Sequence, residues 1–123
     1  MMRVFPVLLA LAVAACAPPM YEDSKRVAKA EKLREERDLC LIRNAHNFDD
    51  GRSDAAKVGE YTATSCSNGT SKLVEVAIPY PSRHDRDAFQ QEAAFRATGY
   101  VMTARRLETD SIAREHRQST PLQ

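Results

Sequence analysis

Glycine is scarce in this chain, with four in 123 residues. The backbone cups that cradle phosphate are built on glycine, so no nucleotide-binding loop can be assembled from this sequence. No serine stands in a Gly-x-Ser-x-Gly setting, which removes the nucleophile elbow of the hydrolases. Three histidines, His46, His84 and His116, lie far apart, and no second histidine stands one turn from the Glu115-His116 pair. There is no Cys-x-x-Cys and no cysteine close to a histidine, so neither a redox dithiol nor a zinc cluster is indicated. A basic block is also missing. Lys and Arg total 18 against 17 Asp and Glu, and that balance excludes the electrostatic footprint of a nucleic-acid binder. The apolar run over residues 4–15 is twelve residues long, well short of the roughly 20 that a membrane-spanning helix needs. Asp49-Asp50-Gly51 fails as a calcium loop, because setting Gly51 at the sixth position puts His46, Phe48 and Lys57 where oxygen ligands are required. No metal and no cofactor are expected, and the ionic residues do not compose a catalytic site.

What is present begins at the amino end. A positively charged start through Arg3 leads into the apolar run, and small residues then precede a cysteine in Leu11-Ala12-Val13-Ala14-Ala15-Cys16. This is the pattern of a short secretion signal closing on a lipid-attachment box. At Val13-Ala14-Ala15-Cys16 the chain resembles the bacterial lipoprotein family. The resemblance implies cleavage before Cys16, diacylglycerol on its thiol, and an acyl chain such as palmitate on the new amine. It also implies a lipid bilayer as the first partner. Ala17 stands where many inner-membrane members of the family carry aspartate, which implies the periplasmic face of the outer membrane. The chain ends on Gln123 rather than on the lysine by which the major cell-wall-linked lipoprotein is tied to peptidoglycan. In a bacterial protein the Asn68-Gly69-Thr70 triplet reads as a turn rather than a glycosylation acceptor.

Residues 1–15 are therefore set aside as signal, and the mature chain from Cys16 is the size of one small domain. Loss of Arg3 brings its formal charge to zero. With Cys16 acylated, Cys40 and Cys66 form an even pair in an oxidising compartment. A bridge between them closes a loop of about 26 residues and is worth roughly 3–4 kcal/mol on the chain-entropy model.

The expected fold is all-α: a small three-helix domain with a disulfide-closed helical hairpin, preceded by the signal and a charged helical stalk. Residues 16–21 form a tether stiffened by Pro18 and Pro19. The helical domain runs over 22–107, with helices at about 22–47, 53–67 and 83–107, and a polar tail follows over 108–123. The stalk, 22–38, carries six acidic and six basic residues, many at helical spacing, and reads as a solvated helix. Its apolar stripe is thin at Val27, Ala30 and Leu33, then thickens through Cys40, Leu41, Ala45 and Phe48. Asp49-Asp50-Gly51 marks a turn, Ser53 an N-cap, and Ala55, Val58, Thr62 and Cys66 a second face. Gly59 lies beside that face, where a small residue permits close helix contact. Asn68-Gly69 is expected to end the second helix. Cys40 lies about 12 Å of helix before Phe48, and Cys66 about 18 Å after Asp54, so antiparallel packing brings the cysteines to similar heights. Residues 71–80 alternate like a strand at Val74, Val76, Ile78 and Tyr80 but have no second strand to pair with; they read as a short helix or an extended connector. The Pro79-Tyr80-Pro81 run is expected to be extended, a stiff connector or a polyproline-type ligand. Ser82 with Asp85 starts the third helix, whose core face is Phe89, Ala93, Ala97, Tyr100, Ala104 and Leu107, with Val101 alongside.

One feature of that helix points outward. Ala88, Phe95 and Met102 recur every seven residues on the side opposite the core stripe, and Gly99 shares that side. Either helix one or the 71–81 connector covers this second apolar face, or it is a surface for self-association or docking. The functional expectation is a membrane-anchored envelope lipoprotein that acts as a non-catalytic structural or interaction module. The alternative is a small inhibitor or exclusion lipoprotein that blocks a lytic enzyme or conjugation machinery.

Overall fold

The computed structural model describes residues 20–119, all helix apart from short turns. The signal over 1–15, the acylation site Cys16 and the outer part of the tether lie outside the described residues. Four helices follow one another: α1 (Met20–Phe48), α2 (Ala55–Ser65), α3 (Ser67–Ala77) and α4 (Arg83–Ser119).

The all-α expectation and the hairpin bridge are both found. Cys40 and Cys66 are disulfide-bonded, with Cα atoms 6.0 Å apart. Beside the bridge, Asn44 Nδ2 donates to Ser65 Oγ at 2.9 Å and ties α1 to the end of α2. α2 and α3 run down against α1, and α4 then returns parallel to it. Arg37 pairs with Glu92, Asp38 with Arg96 and Asp49 with Arg105, so both chains advance in the same direction. The result is an up-down-up bundle whose middle element is kinked.

That kink is where the expected helix boundaries move. α2 stops at Ser65 and Cys66 caps both neighbours at φ −100°, ψ 13°, after which Ser67 starts α3. Asn68-Gly69 therefore does not end a helix but lies in the first turn of a new one. Residues 71–77 continue it, so of the two readings, short helix or extended connector, the helix is the one found. The alternation at Val74 and Val76 is overridden by a second period, Thr70, Leu73, Val74 and Ala77, of which the first three are buried. The N-cap of α2 is Asp54 rather than Ser53: Asp54 Oδ1 accepts from Ala56 N at 2.7 Å. Ser53 is taken up by the preceding turn, where its hydroxyl donates to Asp50 Oδ2 at 2.8 Å. Gly51 supplies the positive φ, 71°, which that turn requires.

α4 begins on a reciprocal capping box. Ser82 N donates to Asp85 Oδ2 at 2.8 Å, and Asp85 N donates to Ser82 Oγ at 3.1 Å. Its end differs from expectation. Residues 108–119, expected as a polar tail beyond the helix, are helical, because nothing between Arg105 and Ser119 breaks a helix and the next proline is Pro121. Ala104 and Leu107 were expected in the core, but α1 and α2 end below them and both are exposed. α1 likewise starts two residues early, at Met20, inside the expected tether. Tyr80 is not extended: its φ is 55°, the left-handed residue that reverses the chain between α3 and α4.

The core is narrow and rich in alanine. Leu41, Ala63, Cys66, Ala93 and Ala97 form one buried cluster, and Ala45, Val58 and Val101 form another beside it. Small side chains bring the helices close. At Gly59 an added Cβ would lie 2.8 Å from Thr98 N and 2.9 Å from Ala94 O.

Candidate functional site

Three places carry chemistry or unsatisfied apolar area, and the first is the outward side of α4. Ala93, Ala97 and Val101 point into the core. Half a turn away, Ala88, Phe95, Gly99 and Met102 share the opposite face, as their heptad spacing dictates. Neither α1 nor α3 covers them. Phe95 is 81% exposed and Met102 54% exposed. A Cβ built on Gly99 meets no atom within 4 Å, so the backbone there is open to close approach. The sequence pattern brought these residues to one face, and the fold leaves that face bare.

The second place is an open cleft of about 610 Å³ where the α1–α2 turn meets α4, lined by His46, Asp49, Asp50, Arg105, Leu107 and Glu108 among others. Asp49, Asp50 and Arg105 are committed to structure. Arg105 Nη2 donates to Asp49 Oδ1 at 2.6 Å and to Ser53 O at 2.7 Å. The Arg105 hydrogen bond holds the Asp49 carboxyl below its ordinary value. Backbone N–H groups of Ser53 and Arg52 bring Asp50 down to about 2. Carboxylates held ionised by turn and helix contacts brace the loop; they do not shuttle protons near neutral pH.

The third place is internal. Arg37, expected on the solvated stalk, is 1% exposed. Its Nη1 donates to Glu92 Oε2 at 2.8 Å, and Nε donates to Asp38 Oδ1 at 3.1 Å. Arg96 closes the group, with Nη1 donating to Asp38 Oδ2 at 3.1 Å. Burial pushes the Glu92 carboxyl up, but hydrogen bonds from Arg37 and Arg96 outweigh it and leave the group below its usual value. Four alternating charges thus weld α1 to α4. The phase of Arg37 was legible, four and eight residues before Leu41 and Ala45 on the inward side of α1; its burial was not.

The three histidines stay exposed and apart, as their spacing indicated. Among the described residues no three His, Cys, Asp or Glu side chains come together as a metal site. No described helix is long and apolar enough to cross a membrane. No family model matches the chain, and the searches of curated proteins and solved structures return no significant match.

Proposed function

We propose that this protein is a lipid-anchored envelope lipoprotein that works as a non-catalytic interaction module, docking through the outward face of α4. The observation that carries the reading is the bare stripe Ala88, Phe95, Gly99 and Met102 on an otherwise charged helix. A helix with two apolar faces satisfies only one of them inside a three-layer bundle, and the other is left for a second molecule. The Val13-Ala14-Ala15-Cys16 box supports attachment to a bilayer, and the Cys40–Cys66 bridge suits an oxidising compartment. Two or three acyl chains give durable anchoring where one gives marginal binding. Asp49, Asp50 and Arg105 of the cleft and the charges of the buried network are tied to structural partners, which supports a binding role over a reaction.

Crosslinking in the native envelope from a photoreactive residue at position 88, on the same face as Phe95, identifies the partner. Phe95→Asp is expected to leave the helical circular dichroism and the disulfide intact and to abolish the crosslinked product. An unchanged product, or a chain that no longer folds, overturns the docking face. Metabolic palmitate labelling, lost in Cys16→Ser, tests the anchor separately.

A further inference from the structure

The α3–α4 turn holds the most exposed large side chain described. Tyr80 is 99% exposed, so its ring touches nothing on the protein. Its backbone is at φ 55°, left-handed, in a residue followed by proline. A non-glycine residue in that region is strained, and such strain clusters at functional sites. Glycine would make this turn without strain; the fold instead spends conformational energy to display a phenol between two prolines.

The position of the turn indicates what it is displayed to. α3 runs toward the amino end of α1, and its last residue, Ala77, closes a shallow pocket with Arg26, Val27 and Ala30. The turn beyond Ala77 therefore lies level with the first turns of α1. From Val27 to Met20 is about 10 Å of helix, and from Met20 to Cys16 at most about 14 Å of chain. We infer that the Pro79-Tyr80-Pro81 turn seats in the headgroup layer of the bilayer to which Cys16 is attached and so sets the orientation of the bundle. The inference rests on the anchor reading.

Tyrosine favours that layer, with its ring against acyl chain and its hydroxyl in water. Val27, 56% exposed, adds apolar area on the same end. The charges there are mixed. Lys25, Lys29 and Arg83 are exposed, but so are Glu31, Glu75 and Asp87, and Asp85 is occupied by Ser82. Attraction is therefore apolar and insensitive to salt, not a basic-patch effect. One tyrosine partitions weakly by itself. With the anchor holding the turn at high effective concentration, it needs only to choose an orientation, not to bind. Seated this way, the bundle directs the far end of α4 away from the membrane and leaves the Phe95 face free in the aqueous space.

The chain has no tryptophan, so Tyr80→Trp introduces a single fluorophore. The mature chain, with Cys40 and Cys66 bridged, offers Cys16 as its free thiol for coupling to maleimide lipid in phosphatidylethanolamine–phosphatidylglycerol vesicles. Coupled Tyr80→Trp protein is expected to emit further to the blue than without vesicles and to be quenched by brominated acyl chains, equally at low and high salt. Coupled Phe95→Trp protein is expected to keep its solvent emission. A Tyr80→Trp spectrum unchanged by coupling, or Phe95→Trp quenched as strongly, overturns the seating. Because the coupling is chemical, its outcome is independent of natural acylation: failure of palmitate labelling would remove the anchor and the seating that rests on it, whereas absence of quenching would remove the seating alone.

Discussion

At the scale of single residues, this bundle is governed by size and phase more than by hydrophobicity. Gly59 is the sharpest case. Alanine there would gain about 1 kcal/mol of helix propensity. Its Cβ, however, would be forced against the backbone of α4 at Ala94 and Thr98, which cannot rotate away. Overpacking of this kind costs about 1–3 kcal/mol, occasionally more. Gly59→Ala is expected to lower stability by up to about 2 kcal/mol net, read as a reduced urea midpoint; a raised midpoint would show that α2 and α4 are not in close contact. Gly59 was legible from sequence because it lies beside the face of Val58 and Thr62. Arg37 was not, because burying a guanidinium depends on where Asp38, Glu92 and Arg96 meet, and the last two are more than fifty residues away. Periodicity reports which side of a helix a residue occupies. It does not report whether charges across the interface can satisfy that residue.

At the scale of elements, Cys66 has three duties. It is bonded to Cys40, it belongs to the larger core cluster, and it caps both α2 and α3. The pairing was legible because two antiparallel helices set the cysteines at matching heights. The kink was not, since Asn68-Gly69 carries an ordinary stop signal. What overrides it is tertiary: Gly69 lies against the α1 backbone, where an added Cβ would sit 3.6 Å from Arg37 Cα, and Leu73 and Val74 bury themselves a turn later. The same competition explains why α4 outran its expected end, since no residue from Glu108 to Ser119 breaks the helix even though none of these is buried. Replacing both cysteines by alanine is expected to cost roughly 3–4 kcal/mol, the loop-closure value for about 26 residues. Loss of the bridge should be felt at the junction before the ends of the bundle. Hydrogen exchange therefore is expected to show amides of α3 losing protection ahead of those in α4 opposite Ala97; uniform loss across all four helices would contradict a junction role for Cys66.

At the scale of the whole molecule, α1 and α4 run parallel, so the amino end of α1 and the carboxyl end of α4 lie at opposite poles. Taking Arg37 and Glu92 as level, Met20 and Ser119 are separated by about 66 Å along the bundle. Little hydrophobic core stitches that length together. Ion pairs at Arg37–Glu92, Arg96–Asp38 and Arg105–Asp49 mark the α1–α4 seam instead. A seam of this kind makes stability depend on pH with a definite sign. Asp49 and Glu92 both have folded pKa values below their ordinary ones. The folded state thus releases those protons more readily than the unfolded state, and the stability gained is fully present above the unfolded values near 4. It is lost as pH falls through the folded values, when Arg37 is left buried beside a neutral Glu92 and Arg105 beside a neutral Asp49. Thermal melts followed by circular dichroism are expected to be flat from about pH 7 to 5 and to fall steeply from about pH 4 toward 2. Asp49→Asn starts from a lower neutral-pH midpoint and shows a shallower acid fall, because the group responsible for part of it no longer titrates. An Asp49→Asn protein whose acid fall is as steep as the parent's would assign the loss to other carboxylates and take the Asp49–Arg105 pair out of the seam.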